Sequence, residues 1–271
     1  ALPYGVGLDV VERGKFGRSE AGGGFGGGDG FDGIIDYNNS NFCYYATNGN
    51  LRRSTSGIFG AYSNISTTIS DPASFFAAYM LHRTNPNTVF FGRQQVWRST
   101  NVRAIPSTSV AWQSTSNFIG SDLIRVIEQS PADPNIVYIS RGSGSGSIQY
   151  RSDNANAAAN SVVWTAIAKP GGLTPSGIKA NYTDPNIVYT TAGTKVFRSD
   201  NKGVSWTEIT GNLPVLFINC LAIDKDANEG IYIGNQTGVW YKDATMTDWI
   251  LFSSGLPPLD IRELEIYYDA N

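Results

Sequence analysis

Short apolar runs separated by turn residues recur along this chain in a single register. Ser40-Asn41-Phe42-Cys43-Tyr44, Pro86-Asn87-Thr88-Val89-Phe90, Pro134-Asn135-Ile136-Val137-Tyr138 and Pro185-Asn186-Ile187-Val188-Tyr189 align, and Glu229-Gly230-Ile231-Tyr232-Ile233 is a looser fifth copy. Their starts lie 46, 48, 51 and 44 residues apart. A polar turn followed by β-branched and aromatic residues predicts a strand in each copy. A second strand then ends on Arg-Ser, at Arg53-Ser54, Arg98-Ser99, Arg151-Ser152 and Arg198-Ser199, with Tyr241-Lys242 in the fifth copy. Trp112, Trp164, Trp206 and Trp249 open a further short strand in four of the five. An alternating run precedes each turn, as in Leu123–Gln129, Ile178–Thr183 and Cys220–Asp224, which makes four strands per repeat.

A four-stranded unit cannot bury two faces alone, so the repeats must stack. The expected fold is all-β, a β-propeller of four-stranded antiparallel blades in one domain over 1–271. Five complete repeats begin near Gly33, Ser74, Leu123, Ile178 and Cys220, and a lone inner strand is expected at Glu263–Tyr268. Residues 1–30 would supply the missing outer strands through Tyr4–Glu12 and Lys15–Arg18. Both termini would then close a sixth blade and remove its exposed edges. The alternative is a part of a seven-bladed or larger propeller.

Composition agrees with this class. Thirty Gly and twelve Pro among short Val, Ile, Tyr and Phe runs describe many strands and turns. A net charge of −3, with no run of basic residues, removes the electrostatic footprint of a nucleic-acid binder. No stretch of about 18 apolar residues predicts a membrane-spanning helix. The chain opens without a basic region and apolar signal core, as expected of an exported chain already processed. Cys43 and Cys220 are too few for a disulfide scaffold.

The segment Ser199-Asp200-Asn201-Lys202-Gly203-Val204-Ser205-Trp206 resembles the Asp-box, Ser-x-Asp-x-Gly-x-x-Trp, with Asn201 at the usual Asp position. Ser152-Asp153-Asn154 leading to Trp164 looks like the same element with an insertion, and Lys242 to Trp249 keeps only the spacing. Together with the Asp-Pro-Asn-Ile-Val-Tyr turns, the chain is similar to Asp-box (BNR-type) propellers: sialidases, sortilin-like domains, xyloglucan-cleaving glycoside hydrolases and secreted bacterial surface modules. The last of these often carry a Gly-Gly-Asp-Gly turn like Gly27–Gly30. The resemblance implies that Ser152, Asn154, Trp164, Ser199, Asn201, Gly203, Trp206 and Trp249 are structural. The short polar side chain would accept turn N–H groups, Gly would take a left-handed conformation, and Trp would pack under the hairpin.

Other chemistry is sparse. The glycine-rich stretch 22–30 lacks the Gly-Lys-Ser/Thr of a phosphate loop and reads as a turn. His82 is the sole histidine, so a histidine-rich metal site is excluded, and its strand-end position reads as surface or packing. Cys43 occupies the register of Val89, Val137 and Val188 and reads as a small buried hydrophobe. Arg53, Arg98, Arg151 and Arg198 stand at one repeat position and cannot converge on one substrate carboxylate; turn or edge pairing is expected, and sialidase activity is disfavoured. Sequons at Asn38, Asn64, Asn181 and Asn235 carry little weight in so Asn-rich a chain.

The loops entering each inner strand are the expected site, since propeller ligands gather there. They hold Asp29, Phe31 and Asp32; Asp71 and Phe75; Asp122 and Arg125; and Asp260, Arg262 and Glu263. The first expectation is an extracellular or cell-surface binding or structural module, taking a glycan or a surface protein, with Ca²⁺ as a candidate ligand of the loop acids and no other cofactor. Phe31, Asp71, Phe75, Arg125, Arg262 and Glu263 are its candidate binding residues. The alternative is a glycoside hydrolase on β-glucan or xyloglucan, with Asp29 or Asp32 and Asp122 or Asp260 as the acid and base about 5 to 10 Å apart. A third reading is self-assembly through edges or termini.

Overall fold

The computed structural model describes residues 33–225, 228–252, 255 and 258–266. Among them, five antiparallel sheets each pair four strands in chain order. Sheet 1 holds β1 (Gly33–Ile35), β2 (Cys43–Thr47), β3 (Asn50–Ser54) and β4 (Tyr62–Asn64). Sheet 2 holds β5 (Tyr79–Leu81), β6 (Val89–Gly92), β7 (Val96–Ser99) and β8 (Gln113–Ser114). Sheet 3 holds β9 (Ile124–Gln129), β10 (Val137–Arg141), β11 (Ile148–Ser152) and β12 (Thr165–Ile167). Sheet 4 holds β13 (Gly177–Ala180), β14 (Val188–Ala192), β15 (Lys195–Ser199) and β16 (Thr207–Glu208), and sheet 5 holds β17 (Cys220–Ile223), β18 (Ile231–Asn235), β19 (Gly238–Lys242) and β20 (Ile250–Leu251). Sheets 1 to 3 lie in one compact unit and sheets 4 and 5 in another.

The second strand of every sheet is buried at each position. Alternate residues must therefore serve opposite faces. Sheet 2 shows it directly: Val89 and Phe91 join Tyr44, Ala46 and Leu51 of sheet 1, whereas Phe90 and Val96 join Ile124, Val137 and Ile139 of sheet 3. Phe90 and Phe91 are fully buried, which contributes roughly 1.5–3 kcal/mol each. In the other unit Tyr189 and Val196 pack on Leu221, Ile231 and Ile233 of sheet 5. The opposite face of sheet 5, Ala222, Tyr232, Val239 and Tyr241, is covered by Ile261 and Leu264, with the Ile261 N–H on the Asn235 carbonyl at 3.0 Å. The hairpin β2–β3 turns on Asn48 and Gly49, both at positive φ, the pair that a two-residue turn of matching twist demands.

Of the inner strand expected at Glu263–Tyr268, residues 263–266 are described and are not in a strand there, while Leu264 is buried against sheet 5. Residues 1–30, 267 and 268, and with them the predicted closure of a sixth blade, lie outside the described residues.

The tryptophans form a repeated stitch. Each indole N–H donates to the carbonyl of the residue just past the last strand of the preceding repeat: Trp112 to Ile65 at 2.6 Å, Trp164 to Thr115 at 2.8 Å, Trp206 to Ala168 at 2.8 Å and Trp249 to Ile209 at 2.9 Å. Trp249 is the most deeply buried of the four, at 2% exposure. Trp249→Phe, which keeps an aromatic ring and deletes the donor, should cost about 1–3 kcal/mol in urea denaturation, and Trp249→Ala about 3–5 kcal/mol. An unchanged midpoint in Trp249→Phe would remove the bond from the account of stability.

Candidate functional site

At one end of the sheets the third and fourth strands are joined by polar turns of repeated construction. In sheet 4, Asn201 Oδ1 accepts from Ser199 Oγ–H at 2.9 Å and from the Ser205 N–H at 2.9 Å, and Ser199 Oγ accepts from the Gly203 N–H at 2.8 Å. Gly203 is left-handed, at φ +81°. In sheet 3, Asn154 Oδ1 takes the Ser152 hydroxyl at 3.1 Å and the Val163 N–H at 2.9 Å. Sheet 2 repeats this with Ser99, Asn101 and the Ala111 N–H, a turn that sequence reading missed because of the long insertion before Trp112. In sheet 5 the Lys242 ammonium substitutes, donating to the Met246 carbonyl at 2.6 Å.

The turns between first and second strands, at the same end, are capped by the residue that ends the first strand's extension. Asp36 Oδ1 accepts the Asn38 and Asn39 N–H groups, and Asn181 Oδ1 those of Thr183 and Asp184. His82 holds the same position: Nδ1 accepts from the Thr84 N–H at 3.2 Å and the Asn85 N–H at 3.1 Å, while Nε2 faces Asn156 Oδ1 at 3.1 Å. These partners place the ring proton on Nε2. At 5% exposure the imidazole is a turn cap, not a nucleophile's base. The repeated arginines do not converge on one point. Arg53 donates to the carbonyls of Val102 and Ala104, Arg98 to those of Ala155 and Ala157. Arg151 pairs with Asp153 at 2.8 Å and Arg198 with Glu229 at 2.5 Å. Of the sequon residues, Asn181 and Asn235 are buried. Cys43, also buried, donates its thiol to the Ser40 carbonyl, and Cys220 donates its own to the Ile261 carbonyl.

The opposite end of sheets 2 and 3 is built differently. Asp71 organises it: Oδ1 accepts the Trp97 indole N–H at 2.9 Å, Oδ2 accepts the Gln95 N–H at 2.9 Å, and the Arg93 guanidinium stands 3.4 Å away. These bonds fix the segment entering β5. Three residues on, Ser74 Oγ accepts from Arg125 Nη1 at 3.1 Å, and Phe75 and Phe76 stand edge to face with centroids 5.3 Å apart. Both rings are about half exposed, at 47% and 54%. Arg125 owes its aim to a β-bulge: Ile124 lies opposite Arg141 and Val126 opposite Ser140, so Arg125 is the extra residue. Alongside, Gly120 offers its carbonyl to Gln94 and Arg141, and Gln95 donates to the Phe118 carbonyl at 2.9 Å. Asp122 is exposed, with Arg141 Nη1 at 3.9 Å.

The structure thus brings Phe75 and Arg125 together on a bed set by Asp71, with Asp122 on the segment entering β9. Sequence reading missed Phe76, Arg93, Gln95 and Arg141; the glutamines at a hairpin tip between apolar strands were the available signal. In the other unit Asp260 is bonded by Asn219 Nδ2 at 2.7 Å and by Arg262 Nε at 3.0 Å, and Glu263 is partly exposed. Asp29, Phe31 and Asp32 lie outside the described residues. Among the described residues no three His, Cys, Asp or Glu side chains gather as metal ligands, and no helix is long and apolar enough to cross a membrane.

No known family model and no curated protein matches the sequence. Solved structures do match in shape, and they are β-propeller proteins. An ancestral GH74 enzyme superposes with a TM-score of 0.65 at 17% identity, covering 86% of this chain and 32% of its own. The COPII outer coat vertex gives 0.58 at 12% identity, covering 80% and 60%. An auxiliary nutrient binding protein from Bacteroides thetaiotaomicron gives 0.52 at 11% identity, covering 87% and 61%. The chain therefore spans about a third of the GH74 enzyme. These likenesses show the fold: all-β, of propeller type, built here from the five sheets.

His82 makes the turn-capping arrangement testable. Burial holds its pKa below the ordinary imidazole value; the Asn156 bond opposes the shift and Arg98 adds to it. The folded ring therefore refuses a proton that the unfolded ring accepts. The cap contributes fully above about pH 6.5, and its contribution declines as the pH falls from there to the depressed folded value. His82→Asn, with the side chain that caps sheet 4, should remove this component from the pH dependence of the urea midpoint. Identical profiles for variant and parent would mean that His82 does not titrate as described.

Proposed function

We propose that the chain is a carbohydrate-binding propeller module whose ligand docks on the loop end of sheets 2 and 3. The carrying observation is the exposed Phe75–Phe76 pair beside the exposed Arg125, held by a half-buried polar network. Sugar rings offer apolar C–H faces to aromatic side chains and hydroxyls to guanidinium and amide groups, and sites of this kind combine apolar surface with a few fixed polar groups. The GH74 enzymes and the nutrient binding protein among the structural neighbours support this ligand class.

Binding is favoured over hydrolysis because the Asp71 carboxylate accepts from the Gln95 and Trp97 donors and faces Arg93, so that it serves to hold the Phe75–Phe76 segment in place. The exposed carboxylate of Asp122 supports the second reading, a glycoside hydrolase on β-glucan or xyloglucan, provided a second carboxylate lies across from it. A Ca²⁺ ion on these loop acids belongs to the same untested class. The Ser-x-Asn turns are read as Asp-boxes, and the chain as one domain of a secreted or cell-surface assembly. The cover that Ile261 and Leu264 give sheet 5 supports a sixth blade shared between the termini.

Calorimetric titration of the chain with a panel of oligosaccharides tests the proposal. Phe75→Ala/Phe76→Ala should weaken binding about tenfold or more, with the fold and the urea midpoint kept, and Asp122→Asn should leave it within about twofold of the parent. Turnover of β-glucan or xyloglucan that disappears in Asp122→Asn would replace the binding reading with the hydrolytic one.

A further inference from the structure

We infer that the ligand of this face carries a carboxylate, so that the glycan bound is an acidic one, a uronic-acid-containing oligosaccharide, with Arg125 as its specificity determinant. The inference rests on the carbohydrate reading above and narrows it. Arg125 is exposed, and among the described residues its bond is a single N–H given to Ser74 Oγ at 3.1 Å. A guanidinium has five N–H donors in a planar fork, so a whole edge of this one is left for another acceptor. Among the described residues six other exposed or half-exposed arginines face carboxylates: Arg83 faces Glu128, Arg93 Asp71, Arg103 Asp36, Arg151 Asp153, Arg198 Glu229 and Asp200, and Arg262 Asp260; Arg52, half-exposed on β3 of sheet 1, is the exception. Arg125 has no carboxylate of this chain within ion-pair distance among the described residues.

Its position is also built. A β-bulge places Arg125 out of the ladder of β9 and β10, and bulges re-aim side chains beside functional sites. The same residue is tied through Ser74 to the segment that bears Phe75 and Phe76, and that segment is pinned by the bonds of Asp71. An uncompensated fork beside two rings matches a sugar that pairs a planar carboxylate with an apolar ring face. Arginine meets a carboxylate through two parallel N–H···O bonds, which fixes orientation as well as affinity.

The experiment compares an oligogalacturonate with its carboxyl-reduced, neutral counterpart of equal length, by calorimetry on the full chain at low and high salt. The acidic sugar should bind about tenfold or more tightly than the neutral one, with the difference shrinking as salt is raised. Arg125→Gln should abolish the preference, and Arg125→Lys, which keeps the charge and loses the fork, should retain only part of it. Ser74→Ala removes the loop bond and leaves the fork, so it should keep the preference; its loss there would make Arg125 a loop fastener. Equal binding of the two sugars overturns the inference and leaves the carbohydrate reading standing. Binding of neither overturns both. Arg125-dependent binding of polyglutamate without uronate binding would assign the face to an acidic peptide and likewise overturn it.

Discussion

The structure depends on one repeated bond, the indole N–H of a tryptophan on the carbonyl just beyond the last strand of the preceding repeat. Last strands are two or three residues long, too short to hold register by ladder bonds alone. The tryptophan supplies both what is missing, an apolar body and a directed donor. Burial inside the stack gives the cohesion. The stitch gives the register.

Two kinds of residue follow from this construction. Residues that recur at one repeat position, such as the Ser-x-Asn turns, the arginines ending the third strands and the caps at Asp36, His82 and Asn181, satisfy backbone groups that a short turn would otherwise leave bare. Residues that break the repeat do something else. Among the described residues the Phe75–Phe76 pair has no counterpart in the other entering segments, and Arg125 sits where the ladder between β9 and β10 slips. Departure from the period marks the candidate site better than chemical reactivity does, which explains why its strongest features are an aromatic pair and a guanidinium and not a pair of carboxylates.

The strands and their order were legible because each second strand is buried on both faces, which forces the unbroken apolar runs visible in Val89–Gly92 and Val137–Arg141. Phe75, Asp122 and Arg125 were legible as loop and strand-entry residues. Their roles were not, since Asp71 acts through Gln95 and Trp97 from a distant hairpin and a bulge exists only in a paired register. His82 was hidden for another reason: an imidazole acceptor replaces the Asp or Asn that usually caps such turns, and residue type alone does not show the substitution.

Hydrogen exchange measured by mass spectrometry, with and without a saturating acidic oligosaccharide, tests most directly whether ligand chemistry is confined to the aperiodic end. Slowed exchange in peptides covering 71–76, 93–96 and 118–126, with 152–164 and 199–206 unchanged, is the expected result. Protection concentrated in the Ser-x-Asn turns, with none around Phe75 and Arg125, would contradict it.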